Sequence, residues 1–306
     1  IAVPTPISHD TLEPNLDYIE AAANSIAPVI EKGNLVVLES TVPVGTTEKL
    51  CQWLSLKRSD LTFPDTHGEA SDIRIAHCPE RVLPGKVMQE LIENDRLIGG
   101  ISERCANLAK ELYTVFVRGE CVITSSPRTA ELAKLTENSF RDVNIAFANE
   151  LSIICDELNV NVWELISLAN RHPRVNILQP GAGVGGHCIA VDPWFIVASS
   201  PKTSNLIRTA RNVNDGKPKW VLQKFREAVQ SCLATEKASE TGEITVAIYG
   251  LSFKPDIDDL RESPALAIAE TIHSEHSGPI LIYEPNLSSL PSTLSNAKLV
   301  SADTNN

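Results

Sequence analysis

The feature that most constrains the fold is a long segment, residues 128–160, that contains neither glycine nor proline. Apolar side chains recur through it at helical spacing, at Leu132, Leu135, Phe140, Val143, Phe147, Leu151 and Ile154. This pattern predicts one helix longer than the usual range of about 8–20 residues. Because the flanking regions have a different pattern, we expect the helix to lie between separate modules and to form the core of a dimer.

Short apolar runs alternate with amphipathic segments before this helix, and the alternation resumes near residue 244. Strands are predicted at 35–40, 73–79, 96–100, 121–124, 244–250 and 280–285. Helices are predicted at 14–31, 47–56, 86–93, 102–116, 162–171, 190–199, 203–233 and 264–273. Such alternation is typical of parallel sheets covered by helices. The sequence therefore predicts an α/β fold with two Rossmann-like parallel-sheet domains, residues 1–124 and 236–306, joined by a central all-helical module, residues 125–235.

Composition excludes several classes of function. The net charge of −12 argues against a nucleic-acid or anionic-membrane surface. No apolar run reaches the roughly 18–20 residues of a spanning helix. Seven scattered cysteines without a C-x-x-C motif form neither a disulfide framework nor a zinc site, and they fit the reducing cytoplasm. We expect no metal, and we expect the cysteines to pack in cores except Cys188, whose neighbours include glycines.

The stretch GAGVGGHCIAVD, residues 181–192, has the G-x-G-x-x-G spacing of a dinucleotide fingerprint. That fingerprint requires a strand before it, a helix after it and an acidic residue about 20 positions later. Here the preceding residues are RHPRVNILQP, and the sequence about 20 residues later is the basic NLIRTAR. The fingerprint interpretation therefore fails.

A nucleophile interpretation of Cys188 is better supported. Glycines remove side chains around it, and the N-terminus of the helix predicted from residue 190 would lower the pKa of its thiol. Asp192, four residues later, would face the same site if both were helical. A cysteine buried for packing and a carboxylate that complements the helix dipole remain the alternatives.

A covalent cysteine also needs proton transfer and oxyanion stabilisation. Lys134, Asn138 and Arg141 lie on one face of the long helix, although such a stripe is often only a solvated face. His172 and Arg174 add donors suited to phosphate or carboxylate.

Together these motifs resemble the UDP-glucose/GDP-mannose dehydrogenase family. VPTP, ESTVPVGTT, CPERVLPG, ELAKLTENSFRDVNIAFANE, GGHCIAVD and GLSFKPDIDDLRESPA occur in the order of the family. ERVLPG, NRHPRVNILQPG and GGHCIAVDPWF are most similar to members that oxidise UDP-N-acetyl-D-mannosamine. The resemblance implies two successive oxidations of a sugar C6 alcohol to a carboxylate, with two NAD⁺ and no release of the aldehyde. The product would serve the synthesis of bacterial surface polysaccharide.

The resemblance assigns the catalytic roles. Cys188 would add to the aldehyde as nucleophile, and the resulting thiohemiacetal would be oxidised to a thioester that water hydrolyses. Lys134 would be the acid/base or oxyanion partner, with Asn138 beside it. Asp192 would activate or orient the thiol or water.

Glu80 matches a carboxylate proposed for general-base work, and Thr41 matches a threonine near the cofactor and the catalytic water. The second glutamate typical of glucose-specific members is replaced by Pro84. This argues against glucose and leaves the hydrolytic base open. Positions that match cofactor contacts are Thr5, Thr47 and Arg261, although a threonine after a strand is also an ordinary helix cap.

Positions that match contacts with the nucleotide sugar are Arg81, Val82, Lys134, Asn138, Arg141, His172, Arg174, Gly185, Phe253 and Lys254. Arg211 is expected to contact substrate across a dimer interface. The expected partners are a UDP-sugar and a second copy of the chain, with no nucleic acid and no membrane.

Several alternatives stay open. The sugar could be UDP-N-acetylglucosamine or UDP-glucose, and the chain could be a non-catalytic nucleotide-sugar-binding protein or a cysteine hydrolase with His187 or His172 as base. The dinucleotide fingerprint is expected upstream of Ile1, and the second sheet is expected to continue past residue 306. We therefore expect a fragment that is inactive by itself.

Overall fold

The computed structural model describes residues 1–8, 10–82, 86–186, 188–235, 240–254 and 256–300. Two compact units form. The first, called here the N-terminal unit, comprises Ile1–Phe140 and Val191–Ile207, and the second, the C-terminal unit, comprises Arg141–Ala190 and Arg208–Asn306. None of the helices in these described ranges is both long and apolar enough to cross a membrane.

The N-terminal unit is built on a four-stranded sheet with the strand order β1-β2-β3-β4. Its strands are β1 (Leu35–Leu38), β2 (Arg74–His77), β3 (Arg96–Gly100) and β4 (Cys121–Ile123). Its first five helices are α1 (Asp17–Ile26), α2 (Thr46–Lys57), α3 (Pro64–His67), α4 (Val87–Glu93) and α5 (Glu103–Thr114). Two apolar clusters cover the sheet, one containing Leu50 and Leu54 of α2 and the other containing Ala109 and Tyr113 of α5.

One strand pair departs from the predicted parallel order. β1 and β2 are parallel, as are β3 and β4, but β2 and β3 are antiparallel, with Ala76 opposite Gly100. The connection between β2 and β3 contains the short helix α4. Its seven residues span about 10 Å. The twelve residues of α5 span about 18 Å, and the next pair is parallel.

The long helix predicted at 128–160 is confirmed as α6 (Pro127–Glu157), with 31 residues. It starts with a proline, which fits the first turn of a helix. It is followed by Asn159, whose φ of 55° is the left-handed conformation that asparagine tolerates after a helix C-terminus. The other helices of this region are α7 (Val162–Ala169), α8 (Asp192–Ser199) and α9 (Asn205–Ala234).

A second sheet lies in the C-terminal unit. Its strands β5 (Val246–Tyr249), β6 (Ile280–Tyr283) and β7 (Lys298–Val300) are all parallel. Helix α10 (Pro264–Glu275) packs Ile268, Ala269 and Ile272 into its core. β7 was not predicted, because three residues are too few to show a pattern. The α/β fold with two sheets and a long central helix is confirmed, and the domain boundaries at residues 124 and 235 stay predictions.

Candidate active site

Three residues predicted to be catalytic come together in the N-terminal unit. Asn138 of α6 donates a hydrogen bond from Nδ2 to Oδ2 of Asp192 at 2.5 Å. Asp192 is the first residue of α8 and is only 3% exposed. Burial raises the pKa of its carboxyl to about 6, while the Asn138 hydrogen bond and the positive charge of Lys134 act in the opposite direction.

This arrangement suits proton transfer near neutral pH. A general base is most effective when its pKa lies close to the working pH. Desolvation together with a specific charged partner is the combination that marks functional carboxylates. Asp192 also fits the alternative interpretation, since a carboxylate in the first turn of α8 complements the dipole of that helix.

The same helix also contacts the segment that contains Glu80. Glu137 of α6 binds Arg81 through two contacts, 2.6 Å to Nη2 and 3.2 Å to Nε. The two carboxylate oxygens of Glu80 accept from the Arg81 amide at 2.6 Å and from Nη1 of the buried Arg96 at 3.1 Å. Glu80 is therefore held as a paired carboxylate. Val82 is half-buried, and Pro84 lies outside the described residues.

The threonines predicted near the cofactor lie beyond β1. Thr5 donates from Oγ1 to the Thr41 carbonyl oxygen at 2.5 Å, which places both residues past the carboxyl end of that strand. Ligands of α/β sheets bind at this edge, so these two residues fit a nucleotide cofactor. Thr47 is fully buried in the first turn of α2, and its hydroxyl is taken by a carboxylate from α6.

That carboxylate, Glu131, is a residue that sequence reasoning missed. It accepts from the Gly45 amide at 2.6 Å, from the Thr47 amide at 2.8 Å and from the Thr47 hydroxyl at 2.6 Å. It lies three residues before Lys134 on the same helix, and this spacing was the available signal. The amides at the start of a helix have no partner within the helix. At the start of α2 the Glu131 carboxylate accepts hydrogen bonds from the Gly45 and Thr47 amides, so these two amides already have partners within the protein.

Cys188 is the exposed thiol of the chain. All seven cysteines lie within the described residues, none forms a disulfide, five of the others are buried and Cys232 is half-buried. The helix predicted from residue 190 begins instead at Asp192, and residues 188–191 form a turn. Cys188 and Asp192 are therefore not on one helical face, and the expectation that Asp192 faces the same site as Cys188 stays a prediction. The reason for the later helix start is Pro193, since proline is tolerated in the first turn of a helix but not in its interior.

The glycine loop that precedes Cys188 packs closely in the C-terminal unit. A Cβ on Gly185 would lie 2.5 Å from the Glu262 carbonyl oxygen and 2.7 Å from Cβ of Phe253. At Gly186, where φ is +85°, it would lie 2.9 Å from the Phe253 ring. Two predicted substrate residues, Gly185 and Phe253, are thus in contact, with the half-buried Lys254 next along the chain.

The remaining cations are not gathered into one cluster by any contact described here. Arg141, His172 and Arg174 are exposed, and His172 Nδ1 accepts from the Arg174 amide at 3.3 Å. Arg261 is exposed and binds Asp259 through hydrogen bonds of 2.9 and 2.6 Å. His187 lies outside the described residues.

Arg211 is held within its own chain. Its side chain is 1% exposed and pairs with Asp142 at 2.6 Å and with Asp215. The expected contact of Arg211 with substrate across a dimer interface stays a prediction.

Comparison with known proteins decides the family. Residues 1–117, 128–216 and 247–305 match, in this order, the NAD binding domain, the central domain and the UDP binding domain of one family. The chain belongs to the UDP-glucose/GDP-mannose dehydrogenase family. The resemblance, the enzyme class and NAD as cofactor are thereby confirmed.

Individual relatives agree. UDP-N-acetyl-D-mannosamine dehydrogenase of Escherichia coli K12 is 64% identical over 295 residues, which cover 96% of this chain and 69% of the relative. NDP-N-acetyl-D-galactosaminuronic acid dehydrogenase of Ralstonia solanacearum is 61% identical, over 99% of this chain and 69% of the relative. The solved structure of UDP-D-ManNAc dehydrogenase from Pyrococcus horikoshii superimposes with a TM-score of 0.82 at 41% identity, over 99% of this chain and 70% of that one.

Proposed function

We propose that the protein oxidises the C6 alcohol of UDP-N-acetyl-D-mannosamine to the carboxylate of UDP-N-acetyl-D-mannosaminuronate. The observation that carries this is the Asn138–Asp192 pair beside Lys134, because a buried carboxylate with a pKa of about 6 next to a cation is equipped to move protons. The high identity to the E. coli relative supports the choice of sugar.

The proposed chemistry needs a thiol because the substrate is oxidised twice at one carbon. NAD⁺, when bound, would supply the hydride acceptor for each oxidation. After the first oxidation, the Cys188 sulfur bonds to the aldehyde carbon and the carbonyl oxygen takes up a proton. The product is a thiohemiacetal, which still carries a C–H bond at the same carbon. Loss of that hydride and of the hydroxyl proton gives a thioester. Water then adds, the C–S bond breaks, and the acid and the thiol are formed.

The roles of the other residues follow from their surroundings. We assign proton acceptance from the alcohol, the thiol or water to Asp192, held in place by Asn138, and stabilisation of the developing oxyanion to Lys134. Glu80 and Thr41 complete the proposed catalytic set. Thr5, Thr47 and Arg261 are assigned to the cofactor, and Thr47 would act by holding the start of α2 in place, because its amide and its hydroxyl both bind Glu131.

The nucleotide sugar is assigned to residues that present either cations or close-packed backbone. They are Arg81, Val82, Lys134, Asn138, Arg141, His172, Arg174, Gly185, Phe253 and Lys254. The R. solanacearum relative favours a second candidate, a nucleotide-linked N-acetyl-D-galactosamine, since the identity is nearly the same.

We also propose a homodimer that forms through α6. Phe140, Phe147 and Ile154 follow one another at seven-residue spacing along this helix and are 71%, 56% and 41% exposed. Seven residues are close to two turns, so the three side chains lie on one face. The absence of disulfides among the seven cysteines supports a cytoplasmic location.

The test counts NADH formed per sugar consumed by full-length protein supplied with UDP-N-acetylmannosamine, UDP-N-acetylglucosamine, UDP-N-acetylgalactosamine and UDP-glucose in turn. Two NADH with the first sugar, and loss of the second oxidation in Cys188→Ala, are expected. Two NADH with another sugar would change the substrate and keep the mechanism, and no NADH with any sugar would refute the proposal. The 306-residue chain is measured beside it, and turnover by this chain alone would contradict the expectation that it is inactive.

A further inference from the structure

A buried asparagine on α6 holds the start of the glycine loop. Asn149 is fully buried in the C-terminal unit. Its Oδ1 accepts from the Gly181 amide at 2.8 Å, and its Nδ2 donates to Oδ1 of Asn214 on α9 at 2.9 Å. Both ends of the amide are therefore engaged, one by the loop and one by a helix.

From Asn214 the chain of hydrogen bonds continues to the carboxylate of Asp142. Asn214 donates from Nδ2 to Oδ1 of Asp142 at 2.8 Å and to the Asp142 carbonyl oxygen at 3.1 Å, and Arg211 donates to the same carboxylate at 2.6 Å. A backbone amide can only donate, and an ionised carboxylate can only accept. The polarity of both ends thus fixes the orientation of Asn149 and Asn214 between them, and the Asn149 oxygen always faces the loop.

Packing does not hold Gly181 in the way that it holds the glycines after it. A Cβ on Gly181 would meet only the Gly183 oxygen, at 3.9 Å, whereas one on Gly183 would lie 3.0 Å from Pro264 and 3.2 Å from Pro218. Pro180, Gly181 and Ala182 also line a cavity of about 400 Å³. Ala182 packs against the apolar core of this unit, but Gly181 has open space beside it, and its backbone amide is held by the hydrogen bond to Asn149.

We infer that Asn149 is a positioning residue for the Cys188 thiol, an inference that rests on the proposed function. Asn149 anchors the loop at residue 181, the glycines at 183, 185 and 186 pack closely against their neighbours, and Cys188 follows two residues later. Without the first anchor these packing contacts hold the loop from one side only, so the thiol at its end is placed less precisely. A displacement of about 1 Å can slow a positioned reaction by roughly 100-fold.

The displaced thiol leaves a specific signature. The first oxidation does not use Cys188, so Asn149→Ala should still form the aldehyde but should capture it poorly. In full-length protein with UDP-N-acetylmannosamine, we expect kcat to fall about 10- to 100-fold, NADH per sugar to fall from two toward one, and the free aldehyde to be trapped by a hydrazine reagent. The KM for the sugar should change little.

Two comparisons separate positioning from general destabilisation. Asn161→Ala is the matched control, since Asn161 also bonds backbone amides, those of Trp163 and Glu164, but at the start of α7. It should lower Tm comparably and retain two NADH per sugar. Asn214→Ala should release free aldehyde as Asn149→Ala does. The double variant should release no more aldehyde than either single variant, because the effects of residues in one hydrogen-bond network are not additive.

The number of NADH formed per sugar distinguishes failure of the positioning role from failure of the proposed function. If folded Asn149→Ala gives two NADH per sugar with kcat within about twofold of wild type, the positioning role is overturned while the proposed function stands. If Cys188→Ala itself gives two NADH per sugar, the proposed function fails and the positioning role fails with it.

Discussion

At the residue scale, the Asp192 carboxyl links pH to both stability and activity. Its pKa of about 6 in the folded protein exceeds the ordinary aspartate value because of burial. Between roughly pH 4 and pH 6 the Asp192 carboxyl therefore holds a proton in the folded protein more often than in the unfolded chain. The contribution of Asp192 to the free energy of unfolding falls as pH rises through this window. Above pH 6 the charged, buried carboxylate costs the folded state on the order of 2–3 kcal/mol. Proton acceptance requires that charged form, so activity should rise over the same interval.

Asp192→Asn should separate these two effects. We expect kcat to fall by roughly 100-fold or more, because the base is lost, while Tm at pH 8 stays equal to or exceeds that of wild type. The acidic limb of the pH–kcat profile near pH 6 should disappear. Thermal scans and pH profiles of full-length protein provide the measurement, with Asp60→Asn, an exposed carboxylate paired with Arg58, as control. An unchanged acidic limb in Asp192→Asn would assign that titration to another group.

At the element scale, Glu131 ties α6 to the start of α2. Its carboxylate satisfies amides that α2 cannot satisfy internally, so the turn that contains Thr41 and the helix that contains Lys134 move together. Glu131→Gln keeps the shape of the side chain, but one of the two oxygens that accept from the Gly45 and Thr47 amides becomes an NH₂ group. A hydrogen-bond donor then faces a backbone donor. We expect a loss of about 2–3 kcal/mol in the free energy of unfolding. Urea unfolding would measure this loss in full-length protein.

Glu48→Gln is the matched control for that change. Glu48 also lies in the first turn of α2, but it forms an exposed ion pair with Arg128 at 2.8 Å. Such surface pairs contribute about 0–1 kcal/mol. Equal losses for the two variants would show that the buried carboxylate has no special role in joining the helices.

The elements themselves were largely predictable because their signals are local. The spacing of apolar residues in α6 and the short runs of β1 and β6 are contained within each segment. The antiparallel pairing of β2 with β3 is a contact between separate segments, and neither strand carries a sequence pattern that gives its direction. The same holds for the site: Asn138 and Asp192 were named through motifs, whereas the partners of Glu131 and Arg211 lie 84 and 69 residues away in sequence.

At the scale of the whole molecule, α6 links functions that belong to different parts of the chain. At 1.5 Å per residue its 31 residues extend about 46 Å. Its first half carries Lys134 and Asn138 of the proposed proton-transfer site. Its second half carries Asn149, which binds the start of the glycine loop before Cys188. A substitution in α6 can therefore be examined for its effect on each set of residues separately. Burial of the exposed apolar face of α6 would stabilise the helix.

The exposed apolar face of α6 predicts how the protein assembles. Phe147→Glu places a charge in the middle of the exposed apolar face of α6, where burial in a dimer would require desolvating it. We expect sedimentation equilibrium to show a dimer for full-length wild type and a monomer for this variant, with the dissociation constant raised by roughly 100-fold or more. Val115→Glu is the control, because Val115 is 83% exposed at the end of α5 but lies outside α6. If both variants dimerise like wild type, the interface is formed by another surface, and the exposed face of α6 has no part in assembly.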